Sequence, residues 1–352
     1  MGKDKRLLTL LFLVPFVLSC WGVVVILSMT GWHAHSPALK QAVWFGLSVV
    51  TFGLVVLVPY RFWFRIRWWL FWGCLALLVA TLLPGIGVTV KGASRWINLG
   101  VANFQPAEAM AVALPLILVP MYEKSPYPWR AALVTLLPLI PVAFILLLQP
   151  DFGSLLLVVG LVGALFVNRY GFFVPLVCLG PLVPLLVFFA TRGYRMDRIE
   201  MWVNPWLDPM GAGYQVIQGL IAFANGGVWG IGIHRSQDFL PEIHNDFIFP
   251  AMGEQFGIFG TLGTIAAFLL LTLLAFRAFT KCKGVYRALV WGFMVSLFLP
   301  MFINVGGVTK LIPLSGMPLP FISYGGTSLL FCWIKVGLMC RALAEKTGGE
   351  RG

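Results

Sequence analysis

The sequence predicts an all-α polytopic membrane protein with about ten transmembrane helices and a long outer loop between spans seven and eight. Three observations predict it. Of 352 residues, 59% are hydrophobic and only 11% charged, whereas a soluble domain carries roughly 25% charged residues. Ten apolar runs approach the ~20 residues needed to cross a hydrocarbon core. The basic residues gather on alternate connections, as topology rules require.

In order, the spans are Leu7–Met29, Leu39–Pro59, Trp68–Leu83, Pro106–Tyr122, Ala131–Leu148, Gly153–Val167, Phe172–Ala190, Phe247–Phe276, Ala288–Val305 and Thr327–Leu343. The first follows Lys3, Lys5 and Arg6 and mimics a secretory leader. No small-x-small cleavage site follows it and more spans do, so it reads as a helix that stays. With both termini cytoplasmic, the inner segments hold 16 of the 25 basic residues and the outer ones 8, with Lys335 inside the last span. Residues 1–352 form a single transmembrane domain, with residues 191–246 as its longest outer loop. Trp202, Trp206, Tyr214, Phe223 and Trp229 place that loop in the membrane interface, where aromatic rings settle. Pro84–Gln105 and Val305–Gly326 are the other long outer segments.

Several function classes drop out. The net charge of +12 lacks the aromatic interleaving of a nucleic-acid groove. No GxxxxGK[ST] phosphate loop is present, so no nucleotide is expected. Four histidines and six cysteines never combine at metal-ligand spacing, and the scattered cysteines read as free thiols. No GxSxG elbow supports a serine triad.

Polar residues instead form four islands: Gly92–Gly100 continuing to Glu108, Gln149–Gly153, a stretch from Arg198 to Phe249, and Pro318–Ser328. Arg95 beside Trp96 pairs a cation suited to diphosphate with a stacking ring, or else anchors the chain at the interface. Arg192, Arg195 and Arg198 lie outside against the charge trend and suit pyrophosphate or lipid phosphate. Lys310 suits a phosphate contact or snorkelling to the interface equally well. Asp151 and Glu254 read as structural contacts between spans.

The segments PLPFISYGGTSLL and LPEIHNDFIF, with GASRWINLG upstream, resemble the SEDS (RodA/FtsW) family of bacterial cell-wall polymerases over nearly the whole chain. The resemblance implies a ten-helix inner-membrane glycosyltransferase that polymerises lipid II for elongation or division. It implies a class B penicillin-binding protein and other elongation or division proteins as partners. Asp246 aligns with the catalytic carboxylate, at an outer boundary where partial loss of hydration makes a better base; a plain helix cap is the alternative. Glu242, His244 and Ser323, with Arg95, Trp96, Glu108, Arg198 and Lys310, are the expected substrate-binding residues. A divalent cation, Mg or Mn, could assist the leaving group. The family's lysine three residues after the glutamate is Ala111 here, so Glu108 needs another partner, a proton or water, and Ala111→Lys is expected to be tolerated. A lipid II flippase, or a scaffold for the transpeptidase, is the rival reading.

Overall fold

The computed structural model describes residues 2–33, 36–90, 93–98, 100, 103–178, 180, 194–233 and 244–348. Its long helices are α1 (Gly2–Thr30), α2 (Pro37–Leu57), α3 (Tyr60–Ala80), α4 (Pro106–Glu123), α5 (Pro128–Leu148) and α6 (Phe152–Tyr170). Short helices α7 (Phe173–Cys178), α8 (Tyr194–Val203) and α9 (Tyr214–Gly226) precede α10 (Ile248–Lys281), α11 (Gly284–Val308) and α12 (Gly326–Gly348). Among the described residues, nine helices are long and apolar enough to cross a membrane. Of the expected seventh span, α7 is described, and residues 179 and 181–190 lie outside the described residues.

Local chemistry sets the helix starts. Ser36 caps α2 by accepting from Leu39 N at 3.2 Å, with Pro37 at the first position. Asp151 caps α6 through Ser154 N at 3.2 Å and also accepts the Ser154 hydroxyl at 2.6 Å. Prolines open α4 and α5, where a missing N–H is harmless. The third span begins at Tyr60 rather than Trp68, because Arg61 and Arg65 in its opening turns are exposed and can snorkel.

The expected outer loop Pro84–Gln105 is not irregular. It holds a three-stranded antiparallel sheet, β1 (Gly87–Val90), β2 (Ala93–Asn98) and β3 (Asn103–Phe104), in the order β1-β2-β3. The all-α reading needs this addition. Ser94, Arg95 and Trp96 fall on the central strand, and Arg95 and Trp96 both reach the cavity described below.

In lipid, apolar helices gain little from burying one another, so association rests on close packing and internal polar contacts. Helix α12 is the hub. Its Trp333 is fully buried, with the rings of Phe12, Phe45, Phe52 and Phe321 around it at 5.5–6.3 Å. The Trp333 indole donates to Ser19 Oγ at 3.3 Å. Apolar side chains such as Leu47, Leu54, Leu137, Phe144, Leu269 and Leu273 face outward, as a lipid-facing belt requires. Cys20, Cys74, Cys282, Cys332 and Cys340 are free thiols, as expected.

Helix α10 is broken at Gly257 (φ 63°, ψ −154°). The turn after α9 stitches the break. Ile231 N donates to Glu254 O at 2.9 Å and Gly232 N to Gln255 O at 3.1 Å, while Ile258 N donates to Gly227 O at 3.1 Å. Glu254 O, Gln255 O and Ile258 N, at the kink, thus find partners, as an apolar medium demands. A β-carbon at Gly257 would meet Val228 O at 2.3 Å, whereas one at Gly263 meets nothing within 4 Å. Gly257→Ala is therefore expected to lower stability by at least about 1–3 kcal/mol. Gly263→Ala should stay within about 0.5 kcal/mol of the parent. Thermal melting in detergent separates them.

Candidate active site

One cavity of about 770 Å³ opens at the loop-rich end of the bundle, between the sheet, α2, α4, α6, α8 and the 314–328 segment. It brings together Arg95, Trp96, Glu108, Arg198 and Asp246, five of the residues singled out from sequence. Asp246 sits in the turn leading into α10, half-buried. Arg198, on α8, donates from Nη1 to Leu314 O at 2.9 Å. Between them lies Gly316 (φ 72°), where a β-carbon would sit 3.2 Å from Asp246 Oδ2 and 3.8 Å from both Arg198 Nη1 and Nη2. The carboxylate and the guanidinium thus flank a gap that only glycine leaves open.

On the other wall, Arg95 donates to Pro150 O at 3.1 Å, and its Nε lies 3.7 Å from Asp151 Oδ1. Asp151 is therefore a cavity residue as well as a helix cap. Its charge is balanced by Arg95 and by the amino end of α6.

Glu108, in the first turn of α4, meets a partner that sequence spacing concealed. Lys335 Nζ on α12 donates to Glu108 Oε2 at 2.9 Å, with 1% and 7% of the two side chains exposed. Lys335 also donates to Ser296 O, and Ser328 Oγ donates to Glu108 Oε1, both at 3.4 Å. Lys335 thus supplies the cation that position 111 lacks. Ala111 is itself fully buried among Leu157, Ile303 and Met317. This corrects the expectation that Ala111→Lys is tolerated: the larger side chain would be overpacked and would bring a second buried cation.

Other expected contacts fall elsewhere. Ser323 lies behind the wall: its hydroxyl donates to Asn245 O and accepts from Leu319 N, both at 2.7 Å. His244 stacks edge-on with Tyr324 at 5.4 Å and its carbonyl accepts Tyr324 N at 2.8 Å. Lys310 does not line the cavity; its carbonyl accepts the Trp202 indole N–H at 3.0 Å. Glu242 and Arg192 lie outside the described residues, as does the side chain of Arg195. Glu254 accepts from Asn225 Nδ2 at 3.4 Å, a contact to the short helix α9 rather than to another span. Among the described residues, no three His, Cys, Asp or Glu side chains converge to hold a metal ion.

The geometry is that of a polytopic α-helical membrane protein with a charged cavity at one end, lined by three carboxylates and three cations, Lys40, Arg95 and Arg198. Residues 5–348 match the FtsW/RodA/SpoVE family model, described as "Cell cycle protein". The chain belongs to that family. It is 34% identical over 363 residues to the probable peptidoglycan glycosyltransferase FtsW of Geobacter metallireducens (strain ATCC 53774 / DSM 7210 / GS-15), covering 96% of this chain and 95% of the relative. It is 36% identical over 323 residues to that of Hahella chejuensis (strain KCTC 2396), covering 87% and 80%. A solved chain from a structure reported as "Structural coordination of polymerization and crosslinking by a peptidoglycan synthase complex" superposes with TM-score 0.81 at 27% identity, covering 96% of this chain and 97% of that one. The rod shape determining protein RodA of Thermus thermophilus shares the fold, with TM-score 0.71 at 23% identity and 96% of each chain covered.

Removing one partner of a buried ion pair leaves an uncompensated charge, at about 3–5 kcal/mol. Lys335→Met is expected to destabilise by that order, and Glu108→Gln with Lys335→Met to recover most of it. Melting temperatures of the single and double variants check this.

Proposed function

We propose that the chain is a peptidoglycan glycosyltransferase that polymerises lipid II at the outer face of the bacterial inner membrane. The carrying observation is that Asp246 and two arginines, Arg95 and Arg198, face one cavity. The acceptor's 4-hydroxyl attacks the anomeric carbon of the donor. The bond from that carbon to the diphosphate oxygen breaks, and undecaprenyl pyrophosphate leaves. Asp246 takes the hydroxyl proton, and Arg198 and Arg95 balance charge growing on the leaving diphosphate. The lipid–pyrophosphate linkage already activates the donor, so no nucleotide is needed. A divalent cation, Mg or Mn, would add to the same charge balance when bound. The FtsW names of the relatives and the synthase-complex neighbour support the activity. That neighbour also supports a class B penicillin-binding protein as partner.

A flippase needs a polar path through the bundle. Beyond Glu108 and Lys335, α4 continues as Ala109–Val119, all buried, and packs on α6 and α11, whose buried side chains include Leu161 and Leu165 and Leu289, Val290, Phe293, Met294 and Leu297. Such a closed apolar floor favours transfer over transport.

The helix after Asp246 is capped at Phe247 without a side-chain cap bond, so Asp246→Asn keeps the size and a carbonyl acceptor but cannot accept the proton. It is expected to lower glycan polymerisation from labelled lipid II by roughly 10²–10⁴-fold while melting and partner pull-down stay as in the parent. Near-parental polymerisation by a folded, partner-bound variant removes Asp246 as the base.

Orientation follows from charge. Ser236, in the longest outer loop, lies outside the described residues, so cysteine at the exposed Asn98 is the outer reporter. It should react with an impermeant thiol reagent applied outside, and cysteine at Lys283 should not. The reverse pattern contradicts the assigned orientation.

A further inference from the structure

The structure assigns Asn304 as the positioning residue that sets the gap between Asp246 and the segment carrying Gly316. This rests on the proposed role of Asp246 and extends it. Asn304, on α11, is 3% exposed. Its Nδ2 donates to Asp246 O at 2.9 Å and to Met317 O at 2.7 Å. Both neighbours are carbonyls, so only the amide's NH₂ can face them, and the side chain has one possible orientation. Its Oδ1 is buried with no hydrogen-bond partner, and a buried acceptor without a donor is unfavourable. A leucine would remove that orphan acceptor but would leave the Asp246 and Met317 carbonyls without their donor. What the asparagine adds is a single NH₂ group spanning the two sides of the gap.

Those two sides form the proposed reacting centre. Asp246 carries the base, and Met317 follows the glycine whose open face lies against both the Asp246 carboxylate and the Arg198 guanidinium. Arg198 holds the same segment at Leu314 O. Asn304 therefore ties base and arginine to one framework. Its loss loosens the Asp246 carbonyl against the Gly316 segment while the Asn245 and His244 carbonyls stay tied to Ser323 and Tyr324. A base displaced by a fraction of an ångström loses turnover before it loses binding.

The test uses the full-length chain in lipid nanodiscs with labelled lipid II. Asn304→Ala is expected to lower kcat at least about tenfold with KM within about twofold, and Asn304→Ser, with one donor, to fall between. In an Asp246→Asn background, Asn304→Ala should change the residual rate by less than about twofold, because the residue acts through the base. Equal losses in both backgrounds, or a change confined to KM, overturn the assignment. Hydrogen exchange gives a readout independent of activity. Residues 244–248 and 314–318 should exchange faster in Asn304→Ala, while 319–325, held by Gln41 and Ser323, should not. Uniform acceleration along the chain marks a merely structural residue and overturns the proposal. If the parent makes no glycan, the functional reading fails while hydrogen exchange still decides the clamp. Should the alanine variant not fold, the serine variant decides by the same measurements.

Discussion

Three consecutive carbonyls, those of His244, Asn245 and Asp246, are each held by a different donor from the last third of the chain: Tyr324 N, Ser323 Oγ and Asn304 Nδ2. Everything at the site depends on this anchoring. Asp246 lies in a turn, where a backbone in or near lipid has no ladder of its own to satisfy it. The donors are fixed in turn. Gln41 of α2 donates to Ser323 O at 3.1 Å and accepts Gly325 N at 3.3 Å. Below them, Phe321 packs on Trp333 at the centre of the bundle. The aromatic core, the 318–325 loop and the carboxylate form one mechanical chain.

Charge is organised by the same logic. Glu108 meets Lys335 at the cavity floor, Asp151 meets Arg95 on one wall, and Asp246 stands across Gly316 from Arg198 on the other. A buried pair gives little net stability, because desolvation offsets attraction. Its effect is to keep a carboxylate and a cation fixed where a charged headgroup can meet them. In the proposed reaction Asp246 takes the proton because its carboxylate borders the gap at Gly316, which an acceptor hydroxyl can enter.

Most of the helices were legible from apolar run length alone, and the family motifs named Arg95, Trp96, Glu108, Arg198 and Asp246, which the cavity brings together. Other features were not. The 87–104 sheet hid in a segment whose strands are two to six residues long, too short for alternation to stand out. Lys335 showed as an ionisable residue within a span, the kind that marks function. Its partner is 227 positions away, and no local spacing joins them. Asn304 looked like any small polar residue in an apolar run. Ser323 was placed in a motif correctly but turned toward the backbone, because a motif gives position and not the direction of a side chain.

The central claim is that this cavity seats a lipid-linked sugar diphosphate with its reacting carbon beside Asp246. A structure of the Asp246→Asn protein with lipid II bound tests it most directly. The account predicts diphosphate oxygens within hydrogen-bond reach of Arg95 or Arg198 and a sugar hydroxyl against residue 246, in the gap beside Gly316. A headgroup seated elsewhere on the bundle, with that gap filled only by water, contradicts it.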